Sequence, residues 1–298
     1  MRNLSFPIIL SILTSISGCA NAVQSAGEQA LSDKAPHTIT IVPYEKPATV
    51  NKSVSNKLSV AAIQEVANHV ANWQLAQFDI RSNKMRPEGR SSGIPAGWMY
   101  ATFNIGLWHW AQALDSANYY QTTINLSLLN DFQLGPRVYH ADDHAMGDVY
   151  LSIFDKFGGQ QRIENTVSHL TQVVEQPSKV SLEFNKEKET FDLQHRKFTD
   201  PKCTSRWCWA DAVFMSPPVM AHLSKITGDS KYIDFMDKEF WAMTDYLFDE
   251  NIQLYLRDSR YFTRKDEQGR LIFWGRGNGW VLAGLARVLE FMPEDYPS

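Results

Sequence analysis

From residue 58 to residue 298, apolar side chains recur mainly at helical spacing. Val60, Ile63, Val66, Val70 and Trp73 step by three or four, which is the period of one helix face. Further helix-like blocks follow near 98–113, 116–132, 142–157, 161–174, 218–227, 230–247 and 279–291. Turn signals such as Gly158-Gly159, Gly228-Asp229 and Pro293 separate them. Serial helices with short links have few ways to bury their apolar faces. An α/α toroid or solenoid is favoured over α/β winding. One stretch breaks the period. Leu254-Tyr255-Leu256-Arg257 and Leu271-Ile272-Phe273-Trp274 read as extended, with Asp266-Glu267-Gln268-Gly269 as a turn between them. That pattern predicts a small β-hairpin inserted between helices.

Residues 1–57 carry a different message. Arg2 precedes the apolar run Phe6-Pro7-Ile8-Ile9-Leu10-Ser11-Ile12-Leu13, too short to span a bilayer and suited to the core of an export signal. The run ends in Ile16-Ser17-Gly18-Cys19, which resembles a bacterial lipobox. Residues 1–19 are expected to be a signal peptide ending at Cys19, the lipidated first residue of an exported protein of the periplasm or outer membrane. Ala20-Asn21-Ala22 is a competing cleavage site. Residues 20–57, rich in Ser, Asn, Lys, Ala and Pro, read as a solvated tether. Membrane contact is expected through the lipid anchor alone.

The chain of 298 residues has bulk for one large domain or two smaller ones. Its formal charge of −4, with acids and bases interspersed, offers no basic face for nucleic acid. Nine Trp, eleven Tyr and sixteen Phe are the compositional excess. Aromatic faces with polar tips suit stacking on sugar rings as well as core packing. Cys203 and Cys208 form either a small-loop disulfide or two free thiols, and alone they cannot complete a zinc site.

Four aromatic-plus-polar clusters hold the candidate chemistry. In Arg206-Trp207-Cys208-Trp209-Ala210-Asp211-Ala212-Val213-Phe214-Met215, one carboxylate stands among tryptophans and apolar side chains. Pro217-Pro218 fits the first turn of a helix, so Asp211 is expected on a short turn just before it. Apolar surroundings raise a carboxyl pKa and ready it as a general acid, whereas a partner such as Arg206 or Arg257 would keep it ionised. In Tyr139-His140-Ala141-Asp142-Asp143-His144, the helix wheel places Asp142 and Asp143 on the flanks of an apolar stripe. The same wheel turns His140, His144, Asp148 and Asp155 outward, which disfavours a metal site there. N-capping would explain one of the two acids. Gly275-Arg276-Gly277-Asn278-Gly279 lacks both the spacing and the βαβ context of a dinucleotide loop. Its glycines suit close approach to a ligand, with Arg276 free to clamp a carboxylate. Trp98 and Tyr100 lie in the fourth cluster, Gly97-Trp98-Met99-Tyr100.

These segments, in this order, resemble glycoside hydrolase family 105, the unsaturated rhamnogalacturonyl or glucuronyl hydrolases. The resemblance runs over most of residues 58–298. Its specific motifs are Trp209 to Pro218 and Phe273 to Trp280, supported by Tyr139 to His144 and Tyr255 to Ser259. It implies an all-α (α/α)6 barrel without metal or cofactor. The helix count of eight or nine suggests a barrel incomplete at its C-terminus. The resemblance also implies that Asp211 protonates C4 of a 4,5-unsaturated uronide and activates the water that adds at C5. Asp142 or Asp143, with Asp143 favoured, would be the second catalytic aspartate and orient the sugar. Arg276 would hold the uronate carboxylate, and Trp98, Tyr100 and Trp280 would shape the subsite. His140, Trp207 and Arg257 complete the expected substrate contacts, with Arg257 standing where some relatives carry His. A non-catalytic glycan-binding surface lipoprotein is the alternative.

Overall fold

The computed structural model describes residues 58–76, 96–184 and 203–297, with short strands at 78–79, 84–85, 190–192 and 197–199. The signal, Cys19 and the tether lie outside the described residues. Eight longer helices follow the predicted blocks: α1 (Val60–Ala76), α2 (Trp98–Leu114), α3 (Ala117–Leu128), α5 (Gly147–Phe157), α6 (Glu164–Glu175), α8 (Pro217–Thr227), α9 (Lys231–Leu247) and α10 (Gly275–Leu289). Two single-turn helices, α4 (Ala141–His144) and α7 (Ala212–Met215), stand immediately before α5 and α8.

Local chemistry sets these boundaries. Ser116 caps α3 by accepting from the Tyr119 amide, and Pro217 and Pro218 occupy the first positions of α8. Gly228 ends α8 in the left-handed conformation at φ 69°, which glycine adopts without strain.

The expected continuous helix 142–157 is interrupted at Ala145-Met146. There Asp148 and Val149 bond back three residues rather than four. The tighter turn shifts the wheel. His144 and Asp148, expected outside, are buried with Asp143, and His140 is buried too. Helices pack on both sides of this segment: α5 meets α2 and α8, while α4 meets α7. Gly147 admits α8, since a Cβ there would sit 2.8 Å from Val219 Cγ1. Trp108, Tyr120 and Phe157 form an edge-to-face aromatic cluster on the α2–α3–α5 side, with centroids 5.0 to 6.3 Å apart.

The hairpin differs from the expectation. Leu254–Tyr255 pairs with Phe248–Asp249 directly after α9, while the later segment contributes a single bridge, Lys265 to Leu271. The Asp249 side chain accepts from the Asn251 and Ile252 amides at 3.0 Å, closing a tight turn that outcompetes the longer loop. The turn at Asp266–Gly269 is present nevertheless: Asp266 accepts from the Gln268 and Arg270 amides, and Gly269 has φ 78°.

The stripe on α1 also turns out differently. Val60, Ile63, Val66, Val70 and Trp73 are exposed, and the buried face carries Ala71 and Leu75. Asn68 on α1 accepts from the Trp110 indole of α2 at 2.9 Å, beside an apolar groove of about 550 Å³ lined by both helices.

Candidate active site

A disulfide joins Cys203 and Cys208, five positions apart, and closes a small loop that contains buried Trp207. The chain then turns through Trp209 and Ala210 into Asp211, which occupies the cap position of α7. The Ala210 amide donates to the Arg257 carbonyl at 2.9 Å, anchoring the turn to the segment after the hairpin. Arg206, one partner considered for Asp211, instead forms a two-pronged ion pair with Glu239 on α9.

Asp211 is thus not paired with Arg206. Its Oδ1 is buried and has no hydrogen-bond partner among the described residues. Burial pushes its pKa above the usual carboxylate range. Its own backbone amide, Arg257 and Arg276 pull it part of the way back, and Asp258 adds to the rise. The result is a carboxyl with a raised pKa in the field of two guanidinium groups.

Those guanidiniums flank one ring. Arg257 lies 5.4 Å and Arg276 4.5 Å from the Trp274 ring centroid. Arg257 is held by fully buried Asp258, which also takes Arg260 through two hydrogen bonds of 2.8 Å. Arg276 is exposed on the first turn of α10, near Trp274. Asn278 ties the two walls together. Its carboxamide accepts from the Tyr255 amide at 2.8 Å and donates to the Tyr255 carbonyl at 2.9 Å. The glycines of this motif lie inside the helix rather than in a loop. A Cβ on Gly277 would fall 2.6 Å from the Trp274 ring, so that glycine makes room for the tryptophan. Further along, a Cβ on Gly284 would meet the Val213 carbonyl at 2.5 Å, so that glycine lets α10 close onto α7. Trp280 packs on Phe214 with centroids 4.6 Å apart.

On the facing segment, α4 separates the two acids. Asp143 is fully buried. It accepts from the Arg137 amide at 2.8 Å and from the guanidinium Nη2 at 2.5 Å. Gly135 leaves space for it, since a Cβ there would overlap the carboxyl group. Asp142 remains partly exposed, with an oxygen 3.9 Å from His140 Nδ1. Neither acid caps the helix. His140 does, accepting from the Asp142 amide at 3.3 Å. Burial, and then the charges of Arg137 and His144, lower the His140 pKa. Its ring lies 5.0 Å from that of Trp209, which brings α4 against the Asp211 turn.

Sequence comparison matches residues 66–298 to Glycosyl Hydrolase Family 88. The chain belongs to glycosyl hydrolase family 88. This family 88 chain is 35% identical over 254 residues to an unsaturated 3S-rhamnoglycuronyl hydrolase of Alteromonas sp. (strain LOR), covering 85% of itself and 61% of that protein. It is 31% identical over 213 residues to an unsaturated 3S-rhamnoglycuronyl hydrolase of Formosa agariphila, covering 68% of itself and 52% of that relative. The chain thus spans less than two thirds of either relative. Its fold resembles a family 88 glycosyl hydrolase structure from Bacteroides vulgatus, with TM-score 0.59, 17% identity, and coverage of 78% of this chain and 63% of that one. The expected kinship and the helical barrel class are borne out.

Within the family 88 chain, Asp211, Arg257, Arg276, Trp280, His140 and Asp142 converge on one region. Three expected contacts do not. Tyr100 is buried, and its hydroxyl donates to the Leu126 carbonyl at 2.7 Å, so it braces α2 against α3. Trp207 is 3% exposed and packs edge-on against Phe235. Asp143, expected to orient the sugar, is fully buried and ion-paired with Arg137. Trp98 is exposed at the start of α2. Sequence reasoning did not single out Trp274, Asn278 or the Arg137–Asp143 pair as individual residues. The first two lay inside a quoted motif, and no local signal marks the third.

Proposed function

We propose that this chain hydrolyses 4,5-unsaturated uronyl oligosaccharides, the products that polysaccharide lyases leave. One observation carries the reading: the buried Oδ1 of Asp211 has no hydrogen-bond partner among the described residues, and its carboxyl lies in the field of two guanidiniums that both sit over Trp274. Arg276 takes the uronate carboxylate in bidentate fashion, and Trp280 shapes the subsite beside it. Protonated Asp211 delivers its proton to C4 of the vinyl ether, and positive charge develops at C5 and the ring oxygen. The Asp211 carboxylate then takes a proton from water as its oxygen bonds to C5. The C5 hemiketal opens to a ketone by breaking its bond to the ring oxygen. The C1 hemiacetal left behind expels the next sugar. The two relatives named unsaturated 3S-rhamnoglycuronyl hydrolases support a rhamnose-type aglycone.

Asp142 is the better candidate for orienting the sugar, because its side chain keeps solvent access where Asp143 has none. Asp211→Asn is expected to bind substrate yet lower turnover by at least a thousandfold, read as loss of the ultraviolet absorbance of the unsaturated uronide. If the wild-type protein binds lyase digests without consuming that chromophore, the glycan-binding alternative replaces this one. We also infer export with lipid attachment at Cys19. Cys19→Ser should move the protein from the membrane to the soluble fraction.

A further inference from the structure

The two candidate acids ride on α4 and α7, each a single helical turn. One turn has almost no stability of its own, so tertiary contacts set its orientation. Asp211 opens α7, and Ser216 follows its last residue. Asp142 lies on α4, and His144 is its last residue. His144 and Ser216 are both fully buried, and His144 Nδ1 lies 2.8 Å from Ser216 Oγ, across 72 positions of sequence. His144 Nε2 lies 2.7 Å from the Val138 carbonyl.

A carbonyl only accepts, so Nε2 carries the hydrogen and Nδ1 offers a lone pair. The Ser216 hydroxyl must then donate to Nδ1. Burial is the main reason the ring stays neutral, its pKa lowered to about 3. The link thus has one fixed direction and one tautomer. The tilted contact of His140 with Trp209 joins the same two segments at their other ends.

We infer that His144 and Ser216 are positioning residues that fix the placement of Asp142 relative to Asp211. This inference rests on the proposed function, since it assigns the pair a role in that reaction. Neither side chain needs to touch substrate. A displacement of about 1 Å between reacting groups lowers turnover by up to roughly a hundredfold, and loss of this link permits such a shift.

The test begins by confirming that wild-type protein consumes the unsaturated chromophore and that Asp211→Asn does not. Ser216→Ala should then lower kcat about ten- to a hundredfold with KM within twofold. His144→Leu should do the same. His144→Gln, whose carboxamide oxygen and nitrogen can replace the two ring nitrogens, should recover much of the loss. Asp155→Asn supplies a stability control, because Asp155 contacts His222 on α8, 2.7 Å away, outside the candidate site. Unchanged kcat in Ser216→Ala, with active wild type, overturns the positioning role and leaves the proposed function standing. A kcat loss no greater than that of Asp155→Asn at matched melting temperature overturns it as well. Inactive wild-type protein overturns the proposed function, and this inference falls with it.

Discussion

At the scale of single residues, two neighbouring aspartates have opposite fates. Asp143 is buried under Arg137, while Asp142 keeps solvent access. Asp143→Asn removes the countercharge of a guanidinium that is itself 16% exposed. A loss of about 2–3 kcal/mol is expected, below the range for a fully buried pair, and denaturant unfolding measures it. Asp142→Asn should leave the unfolding midpoint in place and lower kcat about a hundredfold. Asp211 adds a pH effect. Its folded-state pKa lies above the unfolded value of about 3.9. Between those two pKa values the native state binds more protons than the unfolded one, so this group's contribution falls as pH rises and stays unfavourable above the folded pKa. Asp211→Asn should therefore melt above wild type at pH 7, with the difference vanishing below a pH of about 3. A melting difference that grows on acidification would contradict a raised pKa.

At the scale of elements, the site depends on contacts between segments that have little stability alone. Asn278 on α10 satisfies both backbone groups of Tyr255 and so aligns Arg257 with Arg276 across Trp274. Asn278→Asp would turn a carboxylate oxygen toward the Tyr255 carbonyl. KM for the uronide is expected to rise about tenfold, the equivalent of roughly one hydrogen bond, with kcat within twofold. Steady-state kinetics on a lyase digest decides the matter, and a fall in kcat alone would show that Asn278 serves the acid instead. The α7–α10 contact is as close as it is because Gly284 has no side chain.

At the scale of the whole molecule, the described helices bury one continuous core yet leave apolar faces open. Val66 on α1 is 52% exposed, and Leu282 on α10 is 74% exposed. Exposed apolar surface of this kind promotes association. The double variant Val66→Lys and Leu282→Lys should bind less hydrophobic dye and self-associate less, with its melting temperature within a few degrees of wild type. Light scattering and dye fluorescence report on both. Beneath these faces, the Asp148–Arg287 ion pair at 2.6 Å fastens α10 to α5, so the clamp-bearing helix is fixed to the core at its far end.

Much of this arrangement was written locally. The helical period, the prolines opening α8, the glycine closing it and the turn at Asp266 each act within about four residues, so sequence alone placed them. Asp211, Arg276 and Trp280 could be singled out because their motifs are compact. Burial and pairing were decided by groups far apart in sequence. Arg287 reaches the Phe214 carbonyl across 73 positions, and His144 finds Ser216 across 72. No helical wheel contains those partners. Only the packed structure could bury Tyr100, match Leu254–Tyr255 with Phe248–Asp249, and tie down Asp143 while burying Oδ1 of Asp211 without a partner among the described residues, because desolvation is a property of all the surfaces that meet at a point.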